Sequence, residues 1–162
     1  MSKNKEKETK TNAIRILEKQ KIDFRVIHYT CDDFTDGLAV ADLLGEPYEK
    51  VYKTLVTVGN DRQYYVFVIP IAAELDLKKA ARSVGVKSIA MIHVKDLQSI
   101  TGYIRGGCTA IGMKKPFETR IDESVLKLEK VIVSGGRIGT QIELSPADFL
   151  KAANASTADL LA

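Results

Sequence analysis

Val51-Tyr-Lys-Thr-Leu-Val-Thr-Val58 and Tyr64-Tyr-Val-Phe-Val-Ile69 are dense in β-branched and aromatic residues, and Gly59-Asn60-Asp61-Arg62 lies between them. Two such runs joined by turn residues predict a β-hairpin. Period-2 counting puts Val51, Lys53, Leu55 and Thr57 on one face of the first strand, and Tyr52, Thr54, Val56 and Val58 on the other. Both faces are largely apolar, so this hairpin belongs at the buried centre of a sheet. Lys53 then stands out. An ammonium group in the middle of a buried strand is costly unless it is paired or faces a cleft. Either it snorkels at an edge, or it lines a pocket built for an anionic or carbonyl group.

Working outward, helices and strands alternate without strict βαβ regularity. On the N-terminal side, Asn12–Gln20 predicts an amphipathic helix with Thr11 or Asn12 as cap, and Asp23–Tyr29 alternates as a strand. Thr35–Leu44 predicts a short helix stopped by Gly45, and Pro47 starts a further turn. Beyond the hairpin, Asp76 caps a helix ended by Gly85, Val86–Ile92 predicts a strand and Val94–Thr101 a helix closed by Gly102. Strands are expected at 118–121, 130–133 and 140–144, with Ser134-Gly135-Gly136-Arg137 as a turn. Ser145-Pro146 opens a last helix to about Ala153, and the tail beyond it is weakly specified. These elements predict an α/β (α+β) fold: residues 1–10 as a flexible lead, residues 11–162 as a single domain, and a mixed, curled sheet or partial barrel with flanking helices.

Composition narrows the function classes. The 162 residues are 45% hydrophobic and 28% charged, ordinary for a globular protein and unlike a disordered chain. The longest nearly apolar run, Tyr64–Ala73, is interrupted by Pro70 and too short to span a bilayer. The N-terminal stretch is polar, with no secretory signal, so a cytoplasmic location and no membrane partner are expected. The formal charge is +3, but residues 1–21 carry a net +4 and the remainder −1. Nucleic acid would therefore meet a local basic patch rather than a global field. The chain has two cysteines, Cys31 and Cys108, and two histidines, His28 and His93, with no CxxC pair, so neither a zinc site nor another metal site is expected.

Two glycine-rich stretches remain, Gly102-Tyr-Ile-Arg-Gly-Gly-Cys108 and Ser134-Gly-Gly-Arg-Ile-Gly139. The second lacks Gly-Lys-Ser/Thr and GxGxxG spacing and precedes a strand, which excludes both nucleotide-loop fingerprints. It is either a plain hairpin turn or a place where backbone N–H groups approach a ligand closely. Lys78, Lys79 and Arg82 form one basic cluster, and Arg105, Lys114, Lys115 and Arg120 another. Either is a solvated face or, for Arg105, Lys114 and Lys115 flanking a glycine loop, a phosphate-receiving patch.

In order along the chain come Val-Tyr-Lys-Thr-Leu (51–55), Leu-Asp-Leu-Lys-Lys-Ala-Ala (75–81), Thr-Gly-Tyr-Ile-Arg-Gly-Gly (101–107), Val-Ser-Gly-Gly-Arg-Ile-Gly (133–139) and Ile-Glu-Leu-Ser-Pro (142–146). This ordered set resembles the YbaK/EbsC family, free-standing relatives of the editing domain inserted in bacterial prolyl-tRNA synthetases, over residues 11–150. The resemblance implies deacylation of a mischarged tRNA, foremost Cys-tRNA(Pro) and also Cys-tRNA(Cys), with no cofactor. It places the essential lysine on Lys53 and a backbone-acting glycine on Gly106. It puts substrate contacts on Tyr29, Thr54, Gly107, Ser134, Gly135 and Gln141, the last where some relatives carry Asp, and for a second pocket aromatic of some relatives the spacing offers Phe34 or Asp36. It places no cysteine in the pocket, and suggests that the substrate's own thiol attacks to give a cyclic thiolactone. The implied partners are tRNA and, transiently, prolyl-tRNA synthetase, but not DNA. Two alternatives stay open: a deacylase for another mischarged tRNA such as Ala-tRNA(Pro), and a noncatalytic tRNA- or nucleotide-binding regulatory module.

Overall fold

The hairpin forms as its sequence dictates. In the computed structural model, which describes residues 10–30 and 37–162, β2 (Tyr52–Gly59) pairs antiparallel with β3 (Tyr64–Pro70), Lys53 opposite Ile69 and Val56 opposite Val66. They lie inside a five-stranded mixed sheet, in which β4 (Ile89–Met91) pairs with the other edge of β2. On the β3 side, β5 (Glu118–Asp122) and β8 (Ser156–Ala158) continue the sheet in parallel. A second, three-stranded antiparallel sheet runs in the order β1 (Phe24–His28), β7 (Thr140–Leu144), β6 (Val131–Arg137). A parallel bridge between Val51 and Ile132 joins the two sheets.

Both faces of the hairpin are covered. Tyr52, Val56, Val66 and Val68 pack with Val131, Val133, Ile142 and Leu144 and with α1 (Asn12–Lys19), which contributes Ala13, Ile14 and Leu17. The last helix, α5 (Pro146–Ala153), adds Phe149 to that core. On the opposite face Tyr65, Phe67 and Ile69 meet Ala80 and Ala81 of α3 (Leu77–Val84). Asp76 caps α3 by accepting from the N–H groups of Lys78 and Lys79, and Gly85 closes it at φ +77°. The remaining helices are α2 (Gly37–Leu44) and α4 (Leu97–Thr101), and short 3-10 turns cover Tyr48–Lys50, Val94–Asp96 and Glu123–Lys127. The molecule is thus the α+β fold with mixed sheets that the sequence predicts. The first two residues of the expected Thr35–Leu44 helix lie outside the described residues.

Four local expectations change. Gly135-Gly136 is not the hairpin turn. Both glycines lie inside β6, in a register shift between the Ser134–Gln141 and Arg137–Thr140 pairs, and the turn is Ile138-Gly139. The 86–92 strand contracts to three residues because the Asn60 side chain captures the N–H groups of Lys87 and Ser88. The 94–101 helix divides into a 3-10 turn and α4. The tail after Ala153 is integral: β8 extends the sheet, Leu160 is fully buried, and Leu75 bridges Leu161. These pairings join residues far apart in sequence, where local periodicity carries no signal.

Glu143 on β7 ties the layers together. It accepts from Arg25 at 3.0 Å and from Lys50 at 2.6 Å, and Glu46 reaches both cations. The Arg25 hydrogen bond, then those of Lys50, hold the Glu143 carboxyl below the usual glutamate range despite its burial. A depressed folded-state pKa adds stability above the ordinary glutamate range, and that contribution disappears as pH falls through the depressed value. Glu143→Gln should therefore cost about 1–2 kcal/mol near neutral pH, with the difference from wild type shrinking towards about pH 3. Urea unfolding at both ends of that range checks this, and a difference independent of pH would contradict it.

Candidate active site

The cleft opens where β2 and β6 separate. They touch at the Val51–Ile132 bridge, and β2 pairs with β4 only from Thr57 onward. Two residues beyond the bridge on each strand lie Lys53 and Ser134, and both line the cavity that fills the gap. Its volume is about 470 Å³, within the ~300–1,000 Å³ of small-molecule sites. Leu38, Val40, Val51, Leu55 and Ile71 supply apolar wall, with Tyr29, Tyr52, Thr54, Arg105, Gly106, Cys108 and Gln141 around it.

Each polar group arrives there for a local reason. Tyr29 follows β1, and its N–H donates to the carbonyl of Gly139 in the β6–β7 turn at 2.9 Å. Gly106 is the third residue of a turn closed by the Gly107 N–H to the Ile104 carbonyl, with φ +86°. That positive φ is the requirement of a type II turn, and it brings both Arg105 and Gly106 to the cavity. The Ser134 hydroxyl accepts from the Gly136 N–H at 3.1 Å, which leaves its proton to donate elsewhere. Gln141 is only 6% exposed, yet no described residue hydrogen-bonds its carboxamide. Lys53 is half-buried, and no described residue forms an ion pair or hydrogen bond with its ammonium group. The cavity therefore holds a cation and a carboxamide with unused hydrogen-bonding capacity.

Seven of the sequence-predicted residues line this cavity: Tyr29, Lys53, Thr54, Arg105, Gly106, Ser134 and Gln141. Gly107 and Gly135 lie behind it as packing positions. A Cβ on Gly107 would sit 2.7 Å from the Arg137 Cα, and one on Gly135 would sit 2.8 Å from the Thr140 Cγ2. Lys114 packs over Gly102 and donates to the Ser99 carbonyl at 3.3 Å, while Lys115 borders a separate cavity beside Phe117 and the end of α5. Phe34 and Cys31 lie outside the described residues.

Cys108 also lines the cavity, where the sequence assigned it no place. The expectation that no cysteine borders the pocket is corrected. Burial pushes the thiol up to about 12, only partly offset by a hydrogen bond with Thr101. Its proximity to Gly106-Gly107 was the available signal, but burial depth is not visible in sequence. Thiolates, not thiols, are nucleophiles, so Cys108 is a neutral wall group near neutral pH. Among the described residues, no cluster of His, Cys, Asp and Glu is placed to hold a metal ion.

The site is thus an α+β domain's cleft of small-molecule size, holding a half-buried lysine with no partner among the described residues. Comparison with known proteins sharpens this. Residues 35–152 match the aminoacyl-tRNA editing domain, and the chain belongs to that family. It is 44% identical, over 96% of both chains, to the Enterococcus faecalis protein named "Putative Cys-tRNA(Pro)/Cys-tRNA(Cys) deacylase EbsC". A solved structure described as a "putative trans-editing enzyme for prolyl tRNA synthetase" superposes with a TM-score of 0.81 at 26% identity. It covers 95% of this chain and 99% of its own. A structure described only as a hypothetical protein has the same fold, with a TM-score of 0.83 at 24% identity, covering 93% of this chain and 99% of its own.

A neutral, buried Cys108 should resist alkylation in the folded protein near neutral pH and react at the rate of an ordinary thiol once unfolded. Mass spectrometry after iodoacetamide treatment, with Cys31→Ser as background, measures this. Rapid native modification of Cys108 would show an activated thiol.

Proposed function

We propose that this protein is a trans-editing aminoacyl-tRNA deacylase that removes cysteine from mischarged Cys-tRNA(Pro), and also acts on Cys-tRNA(Cys). The observation that carries this reading is Lys53, a cation without a described partner in a cavity large enough for the aminoacylated terminal adenosine. Kinship at 44% identity with the E. faecalis deacylase supports it. Lys53 holds the terminal phosphate or ribose and orients the ester, since an ammonium group supplies three donors and no acceptor. Arg105, exposed and bordering the same cavity, receives the preceding backbone, whereas Lys114 and Lys115 lie away from that cavity. Gly106 presents backbone to the ester carbonyl, and Ser134 offers its hydroxyl proton. Tyr29, Thr54 and Gln141 shape the space around the aminoacyl-adenosine end, and Gly107 and Gly135 hold the backbone behind it.

Editing is needed because binding discriminates small side chains poorly. One methylene is worth only ~1–3 kcal/mol, so a synthetase site shaped for proline admits cysteine. Cys108 is neutral, and in this reading the reacting thiol is the substrate's own. Its sulfur attacks the ester carbonyl, a C–S bond closes a four-membered thiolactone, and the C–O bond to the ribose breaks. The thiol proton ends on the released ribose hydroxyl. The protein works in the cytoplasm beside prolyl-tRNA synthetase, which supplies the mischarged tRNA through transient contact.

The test is deacylation of tRNA(Pro) charged with cysteine, alanine or serine. Cysteinyl ester should be cleaved at least tenfold faster than seryl ester. The two differ by sulfur for oxygen, and the hydroxyl's far higher pKa leaves almost no alkoxide near neutral pH. Equal rates on Cys and Ser would replace the substrate thiol with water attack. Preference for Ala would move the specificity, and no deacylation of any substrate would leave a binding module.

A further inference from the structure

The N-terminus of α1 packs behind the cleft, against the two glycine stretches that border it. Thr11 caps the helix by accepting from the Ile14 N–H at 3.1 Å. The same hydroxyl donates to the carbonyl of Gly135 at 2.6 Å, across 124 residues of sequence. Asn12, next along, donates to the carbonyl of Gly112 at 2.7 Å. These contacts grip the two glycine stretches that carry the cavity's backbone. Gly112 continues the 102–108 loop that presents Gly106, and Gly135 follows Ser134. The fit is close on both sides. A Cβ on Gly136 would sit 2.9 Å from the Thr11 Cβ, and one on Gly112 would sit 2.7 Å from the Asn12 Nδ2. Helix capping alone does not require this arrangement, since any N-cap oxygen satisfies Ile14. The hydroxyl proton aimed at Gly135 is the surplus feature.

We infer that Thr11 is a positioning residue for the deacylation site, acting through Gly135 to fix the Ser134 hydroxyl, with Asn12 playing the parallel part for the Gly106 loop. The peptide after Ser134 lies in an irregular stretch of β6, where two residues fall between ladder pairs and Gly136 has φ +107°. Such a segment lacks the ladder bonds that would fix it, and the Thr11 hydroxyl supplies one. Small displacements of a donor around a reacting carbonyl lower turnover more than binding. The effect therefore falls on kcat rather than KM. This inference rests on the deacylase reading above, and the experiment below keeps the two distinguishable.

Thr11→Ser keeps both the cap and the donor. Thr11→Asp keeps the cap, because Asp is among the best N-cap residues, but its carboxylate has no proton for Gly135. Thermal unfolding and Cys-tRNA(Pro) deacylation are measured for both, alone and combined with Ser134→Ala. Wild-type deacylation of Cys-tRNA(Pro) establishes the underlying activity, and its absence counts against the proposed function rather than against Thr11. With the activity present, Thr11→Ser should stay within about twofold of wild type. Thr11→Asp should lose roughly tenfold in kcat at nearly unchanged KM. In the Ser134→Ala background the Thr11→Asp loss should largely vanish, since the two residues act in series. Full activity in Thr11→Asp would overturn the inference. So would a loss that simply adds to that of Ser134→Ala, or one that follows a lowered melting temperature and appears equally in Thr11→Ser. If Thr11→Asp does not fold, Asn12→Ala provides the second arm, with the same kcat loss expected and full activity contradicting it.

Discussion

A single carbon atom on Gly107 would lie 2.7 Å from the Cα of Arg137, against backbone that has no side chain to move aside. That contact sets the distance between the 102–108 loop and the β6–β7 end of the small sheet, and the cleft follows from it. Gly112 lies against Asn12 and Ile16, and Gly136 against Thr11, so three chain segments meet at a junction only glycine allows. With these backbones so close, Gly106 and Ser134 border one cavity together with Lys53. The glycines thus do their work mainly behind the site. Their small size is spent on packing, which then holds polar groups at the front.

The electrostatics of the cleft follow from its position between two sheets. The apolar residues around Lys53 lower the local dielectric and strengthen any interaction it makes with a phosphate or a developing oxyanion. Some other described cations have partners: Arg25 and Lys50 with Glu143, Lys79 with Asp159, Lys10 with Glu18. Burial silences Cys108, whose thiol is pushed up to about 12. One surrounding therefore keeps a cation ready for an anionic ligand and a thiol unready for attack. That division suits chemistry in which the nucleophile arrives with the substrate.

Much of this was legible in the sequence. The 51–69 hairpin was written in its β-branched alternation, and the caps at Thr11, Asp76 and Ser145 had the residues their geometry needs. Lys53 announced itself as a charge inside an apolar strand, and seven of the anticipated residues do line the cavity. What remained hidden was long-range. That Gly135-Gly136 sits within a strand depends on β7 and on Thr11, 124 residues away. The tail became β8 only because β5 offers it an open edge. Cys108 and the apolar wall of Leu38, Val40 and Ile71 come from three separate segments, and no local pattern foretells which will converge.

The central claim is that Lys53 stands without a described partner because its partner is the substrate. It is tested most directly by Lys53→Ala, assayed for single-turnover deacylation of Cys-tRNA(Pro) alongside thermal unfolding. Removing a charge that the fold does not pair should leave the melting temperature unchanged or slightly raised. Deacylation should fall by a factor on the order of a hundred or more, the loss typical of one donor in a preorganised site. Turnover within about threefold of wild type, in a variant that folds normally, would contradict the account.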